Sequence, residues 1–412
     1  MNAYESSLLE EYLLANGFHS SMKIEEANFI LINTCVVREK SAFKALSFLG
    51  KVKKLKEKRP DLIVCLFGCM SPLYEEELRK NSAIDRIFGP LNSNFVPLEF
   101  ENLIHKVKNN KKDKEIQRRV LSRYITIIFG CDSFCSYCIV PYVRGREKSV
   151  SFEEVLSKVR NYASMGTKEV TLLGQNVDHY GVDLPENVTF AKLLKAVAKI
   201  DGINRIDFMT SHPKEFDTEI IDIIGESEKI YRHFHLPIQS GDDRILELMN
   251  RRYRSSEYFE LVEKIRDSFP LASLTTDLIV GFPSEDEKAF LNTVNLVKKI
   301  KFDTIYVASY SRRPKTKALT IGEEVEPCEK RRRLNYLLNL QREISLSQAK
   351  RFLETEESVF ITAKSGKNYS SGKNLEEREV LFDTDESLEA GDIVKVKILD
   401  CNKTKLIGKI VG

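Results

Sequence analysis

The chain has no tryptophan, only six histidines, and no apolar run approaching the roughly 20 residues that a membrane-spanning helix needs. No membrane partner is therefore expected. The opening MNAYESSLLEEYLLANGF carries acids and lacks a basic start, so it does not read as a secretory signal. An excess of one charge is also missing. Lys and Arg number 64 against 61 Asp and Glu, and the net of +3 points to no class of partner. Hydrophobic residues at 42% and charged residues at 30% exclude a largely disordered chain, a collagen-like repeat and a small disulfide scaffold. The 412 residues suggest two to three domains at roughly 150 residues each. The expected compartment is the cytoplasm, where thiols stay reduced.

What is present is an alternation of helix-like and strand-like runs. Residues 6–16 are amphipathic, residues 27–34 (ANFILINT) are continuously apolar, residues 40–58 form a basic amphipathic stretch, and residues 61–68 (DLIVCLFG) are apolar again. Helices between buried strands predict a parallel α/β domain over residues 1–105. Residues 106–123 hold eight Lys and Arg against two acids with little apolar content, which predicts a linker. Strand-like runs then recur at 124–129, 169–173, 205–210, 233–237, 273–280 and 304–310. With helices between them, this rhythm predicts a partial β/α barrel over 124–350. Residues 351–412 turn to short strands separated by turns, which predicts a small β-barrel. The fold class is α/β, and no internal repeat is visible.

Eight cysteines are present, and three of them, Cys131, Cys135 and Cys138, fall within eight residues directly after a predicted strand. In a reducing compartment such clustering indicates metal or redox chemistry rather than disulfides. Structural zinc would want a fourth nearby Cys or His, which the surrounding loop lacks. Three thiolates suit a 4Fe–4S cluster with one iron left open. Cys35 and Cys69 each end a predicted strand. In a parallel sheet like ends share one side, so the two thiols can meet there, although buried free cysteines are also ordinary core residues. Cys65 lies inside a strand and reads as core. Cys328 and Cys401 show no partner pattern. After the strand at 169–173, Gly174 permits close backbone approach, and Gln175 and Asn176 offer amides to a polar ligand, or form a plain loop. Asp277 and Glu285 flank Gly281 on another strand end, where they suit ribose hydroxyls, although Glu285 equally suits a helix cap. His235 at a strand end reads as a hydrogen-bonded structural residue.

The spacing Cys-x3-Cys-x2-Cys in GCDSFCSYC, with Tyr137 just before the last cysteine, is similar to the radical S-adenosylmethionine (SAM) signature. CSYCIVPYVRGREKS (with Arg144, Gly145 and Arg146), LLGQNVDHYG, HLPIQSGDDRILELMNRRY and TTDLIVGFPSE together resemble the MiaB-type tRNA methylthiotransferase family. The resemblance spans nearly the whole chain and likens the C-terminal barrel to a TRAM domain. It implies that the 4Fe–4S cluster on Cys131, Cys135 and Cys138 binds SAM and generates a 5′-deoxyadenosyl radical. It implies Tyr137, Gly174, Gln175, Asn176 and Asp277 as residues that bind SAM or substrate. It further implies methylthiolation at C2 of N6-dimethylallyladenosine beside the tRNA anticodon, with one SAM as methyl donor and another as radical source. An electron donor such as a flavodoxin or ferredoxin and a monomeric enzyme are expected with it. Sibling readings are a methylthiotransferase for threonylcarbamoyl-adenosine in tRNA or for a ribosomal-protein aspartate. A remote reading is a non-catalytic iron–sulfur RNA-binding protein.

The family holds a second, auxiliary 4Fe–4S cluster on three cysteines, of which Cys35 and Cys69 match two. The third belongs to a motif like GCQMN after an initial strand. Met1 and Asn2 look like the end of that motif, so the missing cysteine is expected just before Met1, in a chain begun late at an internal methionine. The alternative is a two-cysteine variant. One stretch departs from the family: SRRPKTKAL carries Lys315 where glycine is expected.

A tRNA substrate favours basic surfaces. Candidates are residues 51–59, 106–123, 251–254, 312–317 and 330–333, with solvated faces as the alternative for each. Arg144 and Arg146 suit a SAM carboxylate, an RNA phosphate or a salt bridge. The tail from Glu354 holds nine Lys and Arg against twelve Asp and Glu, so RNA binding there would need a segregated basic face. Phe360, Tyr369 and Phe382 are its aromatic candidates for stacking, or core residues.

Overall fold

Two apolar runs near the start build the first sheet. The computed structural model describes residues 2–36, 39–91, 96–107, 120–185, 187–365, 369–383 and 388–411. Most of the expected basic linker, residues 108–119, lies outside the described residues. The chain divides into two compact units. One comprises residues 1–118, 129–148 and 313–316, and the other residues 119–128, 149–312 and 317–412.

In the first unit, helix α1 (Asn2–Ala15) leads to strand β1 (Phe29–Thr34), α2 (Glu39–Lys58), β2 (Ile63–Gly68), α3 (Ser71–Arg79), β3 (Arg86–Ile87) and α4 (Leu98–Val107). The three strands form a parallel sheet in the order β1-β2-β3. Side chains alternate across β2. Val64 and Leu66 join one apolar cluster, whereas Cys65 and Phe67 join another on the opposite face with Phe88 and Phe100. A sheet covered on both faces explains why β2 reads as a continuous apolar run. Cys65 is wholly buried in that second cluster, and burial pushes its thiol up to about 12. This is the behaviour of a core thiol. The short α5 (Val140–Arg144) belongs to the same unit, and its cap residue Ile139 and its Val143 pack into the first cluster.

In the second unit, β4 (Ser122–Thr126), β7 (Glu169–Leu173) and β8 (Arg205–Met209) form one parallel sheet. The two-residue strands β5 (Ile128–Phe129) and β6 (Lys148–Ser149) bracket the cysteine loop in sequence. A second parallel sheet holds β9 (His233–His235), β10 (Ser273–Val280) and β11 (Thr304–Ser309). Tyr231 N–H donates to Ile206 O at 2.9 Å and Ser211 N–H to His235 O at 3.3 Å, joining the rows. Six parallel strands thus make a partial barrel. Helices start where capping residues predict them: Ser151, Thr189 and Asp286 each accept a backbone N–H of the following turn. The expected strand 233–237 stops at His235. Pro237 brings no N–H to a ladder.

The tail forms a closed five-stranded barrel in the order β12-β13-β14-β16-β15, from β12 (Glu356–Ser365), β13 (Tyr369–Lys373), β14 (Glu379–Asp383), β15 (Ile393–Cys401) and β16 (Lys405–Ile410). Phe360 and Phe382 fill its core, while Tyr369 is exposed. Of the three aromatics considered for stacking, only Tyr369 faces solvent.

Buried charges join this barrel to the amino-terminal half of the larger one. His233 Nδ1 lies 2.8 Å from Glu377 Oε2 and 3.6 Å from Asp207 Oδ1. Lys373 Nζ lies 2.9 Å from Glu377 and 3.6 Å from Glu169, which also accepts from Tyr231 Oη at 2.8 Å. Asp207, His233 and Glu377 are the one group of three His, Cys, Asp or Glu among the described residues whose candidate ligand atoms all lie within 4.8 Å. His233 and Lys373 already match Glu377 and Glu169 in charge, so the group is an ion-pair junction. Asp303 reinforces it by pairing with Arg378 and, at 3.4 Å, with Arg351. No helix among the described residues is long and apolar enough to cross a membrane.

Candidate functional site

The loop carrying Cys131, Cys135 and Cys138 is closed at its neck. Cys131 N–H donates to Gly145 O at 3.3 Å, and Asp132 N–H to Glu147 Oε1 at 2.9 Å. Glu147 N–H returns a bond to Asp132 Oδ1, which also pairs with Arg146 Nε at 2.9 Å. Gly130 makes the crossing possible. Its φ is +70°, and a Cβ there would stand 2.1 Å from Arg146 O. Cys138 N–H donates to Cys135 O at 2.9 Å, so a tight turn presents the last two thiols together with half-buried Tyr137. Cys131 Sγ is 3.5 Å from Ser133 Oγ. Burial pushes the Cys131 thiol up to about 11, against the pull of its Ser133 hydrogen bonds. None of the three is in a disulfide, and all are partly exposed. They do not converge within 4.8 Å as ligands of a single ion would, among the described residues. Three reachable, separated thiols on a pinned loop fit the larger footprint of an iron–sulfur cluster.

Cys35 and Cys69 meet because of strand register. Thr34 of β1 pairs with Gly68 of β2, and each is followed by a cysteine. Cys69 N–H donates to Thr34 O at 3.1 Å, while Thr34 Oγ1 donates to Phe67 O at 2.6 Å. Burial pushes Cys69 up to about 11, with Arg144 pulling the other way and Cys35 adding to the rise. Arg144 is 4% exposed. Its Nη1 donates to Glu5 Oε1 at 2.7 Å, and its side chain also hydrogen-bonds the Cys69 thiol. Neither a SAM carboxylate nor an RNA phosphate is therefore needed to explain Arg144. Arg146, largely exposed, makes the surface salt bridge with Asp132. Two thiols beside a buried guanidinium form a donor set suited to an anionic cluster.

The carboxyl ends of the barrel strands carry the other expected residues. Gly174, Gln175 and Asn176 follow β7 directly, with Gly174 and Asn176 buried and Gln175 half-buried. Asn176 Nδ2 donates to Glu215 Oε2 at 2.6 Å, leaving the buried Asn176 Oδ1 without a hydrogen-bond partner. Glu215 is a hub that the sequence reading missed. His179 Nε2 lies 3.3 Å from it, His212 Nδ1 3.5 Å and Arg252 Nη2 3.0 Å. Burial alone would raise Glu215, but the hydrogen bonds from His179 and Asn176 oppose it, and the carboxyl is held down at about 2. His212 is pushed down to about 3 by burial and then by Arg251, so it is neutral. Half-buried Asp178 accepts from His212 N–H at 2.8 Å, and desolvation raises it to about 7. The group combines one carboxylate, a neutral imidazole and a free amide oxygen. That set suits a ligand rich in hydrogen-bond donors. The spacing of Asn176, His212 and Glu215 along the chain carries no periodic signal that would have joined them.

Asp277 is half-buried on β10, with Oδ2 3.5 Å from His235 Nε2. His235 Nδ1 is 3.0 Å from Thr275 Oγ1 and its ring lies edge-on to the exposed Tyr306. Glu285 turns inward instead. It accepts from Gly281 N–H at 2.5 Å and from Arg333 Nη1 at 2.7 Å, a buried ion pair, while the cap of the following helix is Asp286 and not Glu285 as the alternative had it.

The basic runs divide. Arg251 is buried and donates to Pro237 O, and Lys330 and Arg333 are buried in pairs with Glu324 and Glu285. Those three are structural. In the 51–59 run, Lys56 pairs with Asp85, and Arg59 donates to Glu25 O and Ala27 O. Lys315 stands exposed with φ +67°, the left-handed turn that glycine takes without strain.

Residues 125–297 match the Radical SAM superfamily, and residues 1–89 match Uncharacterized protein family UPF0004. The chain is 39% identical over 426 residues to the tRNA-2-methylthio-N(6)-dimethylallyladenosine synthase of Natranaerobius thermophilus, covering 100% of this chain and 94% of that protein. It is 39% identical over 427 residues to the protein of the same name from Thermoanaerobacter pseudethanolicus, covering 100% and 90%. Among solved structures it is similar to the radical S-adenosylmethionine methyltransferase TsrM from Kitasatospora setae, solved with cobalamin and a [4Fe-4S] cluster bound. The TM-score is 0.54 at 13% identity, over 76% of this chain and 68% of that one, a likeness of fold alone.

Proposed function

The chain belongs to the MiaB-type family of tRNA methylthiotransferases, and on that premise we propose how its residues divide the work. The enzyme adds a methylthio group to C2 of N6-dimethylallyladenosine in tRNA, using SAM and a 4Fe–4S cluster. The observation that carries this reading is likeness along the whole chain, joined to the pinned loop of Cys131, Cys135 and Cys138. The adenine C2–H bond is too strong for acid–base chemistry, which accounts for the need of a radical cofactor.

Cys131, Cys135 and Cys138 hold the cluster, which when bound supplies the one-electron cleavage of SAM. Tyr137 shields the last cysteine on its turn. The missing Cβ of Gly174 leaves room for Ile128 Cγ2 rather than for a ligand, and Gln175 and Asn176 turn amides toward the ligand. The free Oδ1 of Asn176 supports that role, since a buried acceptor without a partner costs about 1–3 kcal/mol until a ligand donor fills it. Asp277 accepts from hydroxyls of the bound nucleoside. Cys35 and Cys69 contribute two ligands to the auxiliary 4Fe–4S cluster at the carboxyl ends of β1 and β2. A low-potential flavodoxin or ferredoxin delivers the electron. The enzyme acts as a monomer in the cytoplasm, where thiols stay reduced.

The test is expression of this chain in a bacterium lacking its own tRNA methylthiotransferases, with tRNA nucleosides resolved by mass spectrometry. Appearance of the methylthio form of N6-dimethylallyladenosine supports the reading. Methylthiolation of threonylcarbamoyl-adenosine in its place overturns it.

A further inference from the structure

We propose that Arg144 is a positioning residue that couples the radical SAM cysteine loop to Cys69 and sets the potential of the cluster held there. The inference rests on the reading above that Cys35 and Cys69 ligate an iron–sulfur cluster. Arg144 closes α5, six residues beyond Cys138. Ile139, the cap residue of that short helix, and Val143 within it lie in one apolar cluster with Cys69 and with Val36 and Met70, which follow the two strand-end thiols. The segment that leaves one cysteine set is therefore packed into the wall of the other.

The charge arrangement is directional. Arg144 and Glu5 are 3% and 2% exposed at their side chains, and they meet at 2.7 Å. A buried guanidinium needs a buried counter-charge, which Glu5 supplies from α1. The guanidinium has five N–H donors in a planar fork, so it serves Glu5 and the Cys69 sulfur together. A hydrogen bond from a cation to a ligating sulfur withdraws electron density and favours the reduced cluster. A simple structural ion pair would need no contact with the thiol.

The test uses the full chain with Cys131, Cys135 and Cys138 replaced by Ala, so that only the Cys35/Cys69 cluster assembles on anaerobic reconstitution. Its reduction is titrated by electron paramagnetic resonance in the parent, Arg144→Gln and Arg144→Lys. At the parent's midpoint, Arg144→Gln is expected to show about a tenfold lower ratio of reduced to oxidised cluster, equivalent to about 59 mV for one electron. Arg144→Lys, which keeps the charge and loses the fork, is expected to fall between them. Equal midpoints in all three, with iron retained, overturn the inference and leave Arg144 structural. Should Arg144→Gln fail to hold iron, the Lys variant decides alone. Absence of iron from the parent overturns the auxiliary-cluster reading itself, and the inference with it.

Discussion

Thr34 and Gly68 pair across the first two parallel strands, and the residue after each is a cysteine. The Thr34 carbonyl accepts from Cys69 N–H at 3.1 Å, so one backbone bond fixes the approach of the two thiols. Register, rather than proximity in sequence, brings Cys35 and Cys69 to the same end of the sheet.

Gly68 is the residue that this approach depends on. Its φ is +103°, and a Cβ would stand 2.3 Å from Thr34 O. Gly68→Ala is expected to destabilise the first unit by about 1–3 kcal/mol. Iron on the Cys35/Cys69 site should be lost while the Cys131 loop keeps its own. Iron counts and urea midpoints on the variant check both parts; unchanged values for each would contradict the role.

Lys315 presents the reverse case. An exposed lysine holds φ +67° in a turn where glycine would be unstrained. Lys315→Gly relieves that strain but adds freedom to the unfolded chain, for a net gain of about 1 kcal/mol or less. A rise in the urea midpoint is expected, and a fall would show that the lysine side chain matters more than its backbone.

The ion-pair junction under the C-terminal barrel has a defined pH window. Burial disfavours the charge on His233, yet Glu377 and Asp207 outweigh it and raise its pKa to about 10. The folded value lies above the ordinary 6.5, so this contribution is complete below about pH 6.5 and is lost as pH rises through about 10. Glu377 is held down at about 2 by His233 and Lys373 against burial, so its contribution is complete above about pH 4.5 and is lost as pH falls through about 2. The junction is strongest between about pH 4.5 and 6.5. The stability difference between the parent and His233→Gln should shrink from pH 6.5 to 10. A constant difference across that range contradicts the assignment.

Asn176 offers a buried, unpartnered acceptor at the end of β7. Asn176→Ala removes it together with the donor to Glu215, and SAM affinity is expected to fall about tenfold, the scale of one hydrogen bond of about 1–1.5 kcal/mol. Equilibrium dialysis on the reconstituted enzyme reads this directly. Unaltered affinity would assign Asn176 to holding Glu215 alone.

Local features were legible in the sequence. Cys131, Cys135 and Cys138 announce themselves by spacing, and the barrel strands by apolar runs between helical stretches. β7 and β10 fall on the expected residues because their ends coincide with sharp changes in polarity. Contacts between distant segments were not legible. Arg144 and Glu5 are 139 residues apart, and no periodicity links them. The hub at Glu215 gathers Asn176 and His179 from the segment after β7, His212 from its own segment after β8, and the more distant Arg252. Basic runs misled for a related reason. Arg251, Lys330 and Arg333 look like solvated charge in sequence, yet all three are buried and find acceptors that only the folded chain supplies.

The most direct test of the central claim is anaerobic incubation of the reconstituted enzyme with SAM, a reductant and tRNA carrying N6-dimethylallyladenosine. The account predicts 5′-deoxyadenosine and the 2-methylthio nucleoside in matching amounts, both abolished by Cys135→Ala. Release of 5′-deoxyadenosine with no methylthio product from this tRNA would contradict it.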